Sequence, residues 1–327
     1  YHNDCHLNFH DVTAVAGVAG EGYSMGAAAA DYYNDGQVDL FVAGVNKNIL
    51  YHNDGHGKFQ DVTERSGIKS GEWAVAAGWF DYDNDGRLDL IVVHYSTTPL
   101  QDRFCGNREK NIRIYCHPKY FEPLAATLYH NRGDGTFEDV SRKSGIGNYA
   151  GRGMSVAFAD YDRDGFMDVF VTNDTMPNFL FHNRGNGTFE EVALQSGAAV
   201  PDRGRPVSAM GTDFRDYDND GLPDLSFTAL AGETFPLFRN MGQGMFQDIT
   251  YLSRMGAISM VHSGWGEGLV DFNNDGWKDL FTSNSHVNDL VEQFEPRVYK
   301  EPNSVFLNKS GKFDDATAKI EQVRKQG

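Results

Sequence analysis

One ten-residue phrase occurs five times along the chain, as DYYNDGQVDL at residue 31, DYDNDGRLDL at 81, DYDRDGFMDV at 160, DYDNDGLPDL at 216 and DFNNDGWKDL at 271. A second phrase alternates with it, as LYHNDGHGKFQDVT at 50, LYHNRGDGTFEDVS at 128, LFHNRGNGTFEEVA at 180, LFRNMGQGMFQDIT at 237 and VFLNKSGKFDDAT at 305. A further copy, YHNDCHLNFHDVT, opens the chain. A repeat constrains a fold strongly, because each unit must bury its apolar face against the next.

Each unit reads as four short strands. The segment before the acidic phrase, such as AVAAGWF, predicts the first strand, LDLIVV the second, LYHN the third, and KFQDVT, after a Gly-rich hairpin turn, the fourth. Four-stranded units repeated in line are typical of β-propeller blades, whereas the repeats of parallel β-helices are much shorter. We therefore expect an all-β chain that forms a single β-propeller domain over 1–327, with an opening half-blade at 1–20.

A long insertion interrupts the second unit. The interval between the acidic phrases at 81 and 160 exceeds the other intervals, and the excess covers 95–127, including the run CGNREKNIRIYC. Cys105 and Cys116 either close this run as a disulfide in an oxidising compartment or stay as two free thiols, and Cys5 is left over. Insertions between blade strands lie on one face of a propeller, and we expect this one on the face opposite the acidic phrases.

The net charge of −17 comes largely from the acidic phrases. Their 18 aspartates are comparable in number to the acidic excess of the whole chain. A protein of this charge is not expected to bind nucleic acid, because phosphates attract basic surfaces. No apolar run is long enough to span a membrane, so no membrane span is expected.

The phrase at 81 places Asp81, Asp83, Asp85 and Asp89 close together. A packed fold tolerates such repulsion only when a cation neutralises the carboxylates or water screens them. Alternate oxygens turned into a tight, Gly-containing loop suit Ca²⁺, which takes about six to eight oxygen ligands. An EF-hand is excluded because its twelfth position would be Val92 instead of glutamate. The alternative is a solvated Asp-rich turn without an ion.

The two phrases resemble the FG-GAP or VCBS repeats of integrin α-chain propellers and of bacterial relatives of cartilage acidic protein, which often carry an ASPIC/UnbV region. The resemblance implies seven blades, or six blades or an incomplete ring in this chain. It also implies structural Ca²⁺, four to five ions in all, bound through positions one, three, five and nine of each acidic loop and the backbone carbonyl of position seven. Tyr33 stands at a third position where a carboxylate is expected, while Asn273 is an ordinary neutral substitute.

The residues that the resemblance assigns to metal binding fall into five loops. They are Asp31, Asp35, Gln37 and Asp39; Asp81, Asp83, Asp85, Arg87 and Asp89; Asp160, Asp162, Asp164, Phe166 and Asp168; Asp216, Asp218, Asp220, Leu222 and Asp224; and Asp271, Asn273, Asp275, Trp277 and Asp279. His52, His130 and His182 belong to the second phrase, and we interpret them as residues that pack within blades.

A ligand site, if there is one, is expected on the opposite face. There the first strands begin and the second strands end, which brings histidines, an arginine and carboxylates towards the channel mouth. The candidates for catalysis are Arg152, His262, His286, His94 and Asp174, near Trp73, Tyr95, Asn173, Glu233, Trp265 and Asn284. Such side chains bind anionic or sugar ligands or perform acid–base chemistry; alternatively, they only satisfy backbone groups at strand ends.

The sequence predicts a calcium-binding, secreted β-propeller that acts as a binding module for carbohydrate, protein or a small ligand. We expect it in a secreted, periplasmic or cell-surface location, in a bacterium. The alternative is an enzyme of the lyase, dehydratase or cyclase type at the channel mouth, since the resemblance includes such propellers. An inert scaffold is a third hypothesis. No P-loop, nucleophile elbow or HExxH motif occurs.

Overall fold

A computed structural model describes residues 1–4, 8–97 and 103–319. Cys5, the cysteine predicted to be left over, lies outside these residues. The chain opens with the hairpin β1 (His2–Asn3) and β2 (Phe9–His10) and the short helix α1 (Thr13–Ala16). The first blade follows as β3 (Tyr23–Ala30), β4 (Asp39–Val45), β5 (Ile49–Asn53) and β6 (Phe59–Asp61), and ends at helix α2 (Thr63–Ser66).

The second blade contains the insertion. It begins with β7 (Trp73–Phe80) and β8 (Asp89–Ser96), and the insertion adds β9 (Gly106–Asn107), β10 (Ile112–Arg113), a 3₁₀ helix at Pro118–Tyr120 and β11 (Leu124–Ala125). The blade is completed by β12 (Thr127–Asn131) and β13 (Phe137–Asp139), which are followed by α3 (Ser141–Ser144), a 3₁₀ helix at Ile146–Asn148 and β14 (Ala150–Gly151).

Three further blades follow. The third is β15 (Gly153–Ala159), β16 (Asp168–Asn173), β17 (Phe179–Asn183) and β18 (Phe189–Glu191), then α4 (Ala193–Ser196). The fourth is β19 (Thr212–Arg215), β20 (Asp224–Phe227), β21 (Leu237–Asn240) and β22 (Phe246–Asp248), then α5 (Met255–Ser259). The fifth is β23 (Gly264–Val270), β24 (Asp279–Asn284), a 3₁₀ helix at Val291–Gln293, β25 (Ser304–Lys309) and β26 (Lys312–Asp315).

The predicted β-propeller architecture of four-stranded antiparallel blades is confirmed. The described residues form five such blades, fewer than the seven or six of a full ring, and one pair between β4 and β7, Val45 with Trp73, joins the first two blades into a single sheet. No helix among the described residues is long and apolar enough to cross a membrane. Every residue of β8, β16 and β20 is buried, which explains why the second strands read as unbroken apolar runs.

Consecutive blades pack through their first strands, in the order β3, β7, β15, β19 and β23. The first strands of neighbouring blades approach so closely that two positions, Gly78 and Gly153, have no room for a side chain. A Cβ at Gly78 would lie 2.4 Å from the ring of Phe158 in the next blade, and one at Gly153 would lie 2.3 Å from Cγ1 of Val93. Apolar clusters fill the space between each pair of neighbouring blades. The core is therefore divided among the interfaces between blades.

In blades two to five, an asparagine at the end of the third strand connects the blade to the one before it. The Asn131 Nδ2 donates to the carbonyl of Tyr32 in the preceding blade at 2.9 Å and to that of Leu88 in its own blade at 3.0 Å. The same pairs are Asn183 with Tyr82 and Met167, Asn240 with Tyr161 and Pro223, and Asn308 with Tyr217 and Lys278. We call these residues the interblade asparagines.

The substitution Asn183→Ala removes both donors and leaves two carbonyl acceptors without partners inside the protein. We expect it to lower the free energy of unfolding by about 2–4 kcal/mol, measured by urea denaturation. Asn53→Ala is the matched control, because within the described residues the Asn53 Nδ2 donates to the Val38 carbonyl of its own blade and to no other blade. Equal losses for the two variants would contradict a role in joining blades.

The insertion is anchored over the face opposite the acidic loops. The Cys105–Cys116 disulfide is present, with the two Cα atoms 5.2 Å apart. The Phe121 ring contacts the rings of Trp73 and Tyr95, and the Phe121 carbonyl accepts a hydrogen bond from the Arg152 Nε at 3.2 Å. The Tyr115 N–H donates to the Asn288 side chain at 3.0 Å. The insertion thus connects the second, third and fifth blades.

Candidate metal centres

The five acidic phrases form loops 1 to 5, at residues 31–39, 81–89, 160–168, 216–224 and 271–279, each between the first two strands of its blade. In loop 2, the Asp81 Oδ1 accepts the Asp85 N–H at 3.1 Å, and its Oδ2 accepts the Gly86 N–H at 2.8 Å. The Asp85 Oδ1 accepts the Arg87 N–H at 2.9 Å. The backbone of the loop therefore fixes the first and fifth carboxylates.

The loops also bond to one another. The fourth residue of a loop has a positive φ, 58° at Asn84 and 64° at Arg163, which places its side chain towards the next loop. Asn84 donates to the Gly165 carbonyl of loop 3 at 3.0 Å, and Arg163 donates to the Gly221 carbonyl of loop 4. Asn34 and Asn219 make the corresponding bonds from loops 1 and 4. The loops thus form a continuous band on one face.

The ninth aspartate of every loop is fully buried. Asp39, Asp89, Asp168, Asp224 and Asp279 have no exposed surface. The Asp89 Oδ1 accepts the Asn131 N–H at 2.8 Å, and its Oδ2 accepts the Tyr82 N–H at 3.2 Å. Burial raises the pKa of Asp89 to about 7, and that of Asp168 and Asp224 to about 8. A nearby cation would offset this cost of ionisation.

The carboxylates of three loops converge closely enough to share an ion. Oxygens of the first, third and ninth aspartates lie within 4.8 Å of one another in loops 2 and 4, as do those of the first, third and fifth in loop 3. Among the aspartates of these loops, Asp83 Oδ1 and Asp216 Oδ1 are buried and have no hydrogen-bond partner within the described part of the chain. Several hard oxygens with unused lone pairs are the donor set that Ca²⁺ prefers. The residues of these loops therefore fit calcium.

Loops 1 and 5 differ from this arrangement. In loop 1 the third residue, Tyr33, supplies an aromatic ring that contacts His52, with ring centroids 4.9 Å apart. In loop 5 the third residue, Asn273, accepts the Asp275 N–H through its Oδ1 at 2.9 Å. Loop 5 keeps an oxygen donor at this position and loop 1 does not.

The third-strand histidines face the acidic loops. The His130 Nδ1 lies 3.5 Å from Asp83 Oδ2 and 3.2 Å from Asp89 Oδ1, and the His182 Nδ1 is placed in the same way in loop 3. The His52 Nδ1 lies 3.0 Å from Asp39 Oδ1. The interpretation of these residues as blade packing alone missed this contact. The third strand pairs with the second strand, which begins at the ninth aspartate, and side chains alternate between the two faces of a strand. These two facts could have predicted that the histidine and the aspartate lie close together.

The same third-strand position holds other residues in the last two blades. In the fourth blade it is Arg239, whose Nε lies 2.7 Å from Asp218 Oδ2 and whose Nη2 lies 3.0 Å from Asp220 Oδ2. In the fifth blade it is Leu307, which offers no charge. The five loops therefore have a similar sequence pattern, but different side chains lie beside their carboxylates.

On the opposite face, the structure brings together some of the predicted residues. The buried Tyr95 hydroxyl donates to Asp174 Oδ2 at 2.9 Å, and burial raises the pKa of Asp174. Glu233 Oε2 accepts the Ser208 N–H at 2.9 Å, and burial raises its pKa also. The positive charge of Arg152 acts in the opposite direction and lowers the pKa of Asp174, but burial has the larger effect. These residues form one polar cluster under the insertion.

The three histidine candidates have separate surroundings. The His94 Nε2 lies 3.0 Å from the Thr127 hydroxyl, and burial lowers the pKa of His94 to about 4, so its ring is neutral at pH 7. The His262 Nδ1 lies 3.7 Å from Glu301 Oε2. The His286 Nδ1 accepts the Asn288 N–H at 3.0 Å. Each ring has a partner within its own strand-end region.

A sequence profile of the FG-GAP-like repeat matches residues 31–92, 102–171, 161–227 and 216–282, which together include all five loops. The chain belongs to the FG-GAP repeat family. The predicted resemblance to FG-GAP repeats is thereby confirmed.

This FG-GAP repeat chain is also similar to cartilage acidic protein 1. The identity is 30% over 191 residues with the Xenopus tropicalis protein, covering 56% of this chain and 27% of that protein. It is 29% over 204 residues with the Mus musculus protein and 27% over 202 residues with the Homo sapiens protein, each covering 55% of this chain and 29% of the relative. The chain thus spans under a third of the length of these relatives.

Two solved structures resemble this FG-GAP repeat chain in fold at low identity. One is an Agrocybe aegerita lectin described as recognising non-reducing terminal N-acetylglucosamine, with a TM-score of 0.48, 16% identity, and coverage of 88% of this chain and 63% of that chain. The other is the exotype rhamnogalacturonan lyase YesX, with a TM-score of 0.45, 13% identity, and coverage of 89% and 48%.

Proposed function

We propose that this chain is a calcium-stabilised interaction module of an oxidising compartment outside the cytoplasm. The observation that carries the calcium part is the convergence of unpartnered, buried carboxylate oxygens in the acidic loops. In loop 3 the ligands would be Asp160, Asp162, Asp164 and Asp168, with the carbonyl of Phe166, and loops 2 and 5 would use the corresponding residues. Loop 1 would bind more weakly because Tyr33 replaces a carboxylate.

Calcium in these loops would act on stability. Extracellular calcium modules bind with Kd near 10⁻⁴–10⁻³ M, so each filled loop adds about 1 kcal/mol at millimolar Ca²⁺. Because loops bond to their neighbours through residues such as Asn34 and Asn84, an ion in one loop also restrains the next blade. A ring of oxygen ligands with no open position suits such a structural role better than catalysis.

We expect the wild-type chain to melt at a clearly higher temperature in millimolar Ca²⁺ than in a calcium chelator, measured by differential scanning calorimetry. Asp162→Ala should reduce this difference, because loop 3 loses a ligand. In chelator the variant should melt no lower than the wild type, because one of four mutually repelling carboxylates is gone. Asp289→Ala, at an exposed aspartate outside the loops, is the control. Identical melts with and without calcium would overturn the proposal.

The insertion is the interaction surface that we propose. It is closed by a disulfide, which persists in oxidising compartments. Its basic side chains are exposed on a protein of strongly negative net charge, namely Arg103, Arg108, Lys110, Arg113 and Lys119. Two cations lie over one aromatic ring, the Arg103 guanidinium at 4.2 Å and the Lys119 ammonium at 5.2 Å from the Tyr120 centroid. Exposed rings beside cations suit a carbohydrate that carries acidic groups.

Charge reversal of the insertion tests this assignment. The double substitution of Arg108→Glu and Lys110→Glu should weaken binding to heparin, used as a sulfated polysaccharide probe, by at least about tenfold at low salt. The control is Lys58→Glu with Arg65→Glu, two exposed cations of the first blade, which changes the net charge equally. The measurement is surface plasmon resonance, with neutral dextran as a second control. Equal effects of the two double variants would contradict a localised site.

The enzymatic alternative rests on the polar cluster of Tyr95, Asp174, Arg152 and Glu233. Asp174 is buried and Glu233 is half-buried, and both have raised pKa values, which is compatible with acid–base chemistry. Their hydrogen bonds to Tyr95 and to backbone N–H groups also suit a purely structural role at the strand ends. The interaction module is therefore the function that we favour.

A further inference from the structure

We propose that Arg239, together with Arg163 and Lys278, supplies loop 4 with positive charge that the other loops obtain from Ca²⁺, so that loop 4 binds calcium more weakly than loop 3. This inference rests on the proposed calcium binding. It concerns two loops with the same four aspartate positions, so we assign the difference to the side chains that surround them.

Arg239 reaches the carboxylates directly. It lies on the third strand at the position of His182 in the preceding blade, and its guanidinium bridges the third and fifth aspartates of loop 4, at 2.7 Å from Asp218 and 3.0 Å from Asp220. The ion pair with Asp220 and the charges of both aspartates raise the pKa of Arg239, so the group carries a fixed positive charge. The corresponding residue of loop 3, His182, places one imidazole nitrogen near Asp162 and Asp168 and has no guanidinium that could bridge two carboxylates.

Two more cations converge on the same loop from neighbouring blades. The Lys278 Nζ donates to the Asp216 carbonyl at 2.8 Å, and Lys278 occupies the eighth position of loop 5, where the other four loops have valine, leucine, methionine and proline. Arg163 donates to the Gly221 carbonyl from the fourth position of loop 3, where the other loops have asparagine. Three residues that differ from the repeat pattern, Arg239, Arg163 and Lys278, therefore contact loop 4.

The other loops lack this convergence. Within 1–4, 8–97 and 103–319, no lysine or arginine forms an ion pair with a carboxylate of loops 1, 3 or 5. Loop 2 has one such pair, from Arg87 to its fifth aspartate, Asp85. The third aspartate of loop 2 contacts only a histidine among its charged partners.

In loop 3 the Asp164 N–H donates to the Asp160 Oδ1 at 3.0 Å, whereas in loop 4 the Asp220 N–H donates to the Asp218 Oδ1 at 3.3 Å. The Asp216 Oδ1 remains buried without a partner, so an oxygen is still available to a metal ion. A dication entering loop 4 would, however, lie near a guanidinium already bound to two of its ligands. Repulsion between these charges weakens calcium binding, and the same guanidinium stabilises the empty loop.

Exchange of the two third-strand residues tests the inference. Calcium titration of the metal-free chain by isothermal calorimetry compares the wild type with Arg239→His, which gives loop 4 the residue of loop 3, and with His182→Arg, which does the reverse. We expect Arg239→His to tighten one calcium site by at least about tenfold and His182→Arg to weaken one by a similar factor. Arg184→His removes an arginine that pairs with Glu190 outside the loops and should change no site.

Thermal melts distinguish this role from simple packing. In chelator, Arg239→His should melt below the wild type because loop 4 has lost its fixed cation, and Ca²⁺ should restore the difference. A loss that Ca²⁺ does not restore would assign Arg239 to packing and overturn the inference. If Arg239→His does not fold, Arg239→Leu, which copies the fifth blade, and His182→Arg decide the same question.

The outcomes separate the two proposals. A wild type that binds calcium at several sites, with affinities unchanged in both variants, overturns the inference and leaves the calcium proposal intact. A wild type and variants that bind no calcium overturn both.

Discussion

The fold depends on burying one ionisable carboxyl group at the start of every second strand. Asp89 accepts N–H groups from Tyr82 in the loop and from Asn131 on the third strand, so three segments of a blade meet at one side chain. Burial of such a group is unfavourable without compensation, as the raised pKa of Asp89 indicates. Each blade is therefore organised around a buried carboxyl group whose ionised form a nearby cation would stabilise.

The interblade asparagines extend this local arrangement around the propeller. Asn131, which donates its backbone N–H to the buried Asp89, also donates its side-chain amide to the carbonyl of Tyr32 in the preceding loop. The fourth residues of the loops make a second set of bonds in the opposite direction along the chain. A change in one loop, such as the binding of an ion, would therefore affect hydrogen bonds at two blade interfaces.

The sequence alone was sufficient for the features that repeat. The propeller, the blade strands and the placement of loops between first and second strands follow from the spacing of the two phrases. For Cys105 and Cys116 the sequence allowed a disulfide or two free thiols, and the structure contains the disulfide. It was not sufficient for contacts between side chains that are distant in the sequence. That Arg239 and Lys278 converge on loop 4 depends on strand pairing and on blade packing, which a single repeat does not encode.

The most direct test is a crystal structure grown in millimolar Ca²⁺ with anomalous diffraction data that locate calcium. The account predicts anomalous peaks in loops 2, 3 and 5, each surrounded by carboxylate oxygens at about 2.3–2.6 Å, and a weaker peak or none in loop 4 beside Arg239. Acidic loops that contain only water, with the carboxylates held in the same positions, would contradict the claim that calcium stabilises this propeller.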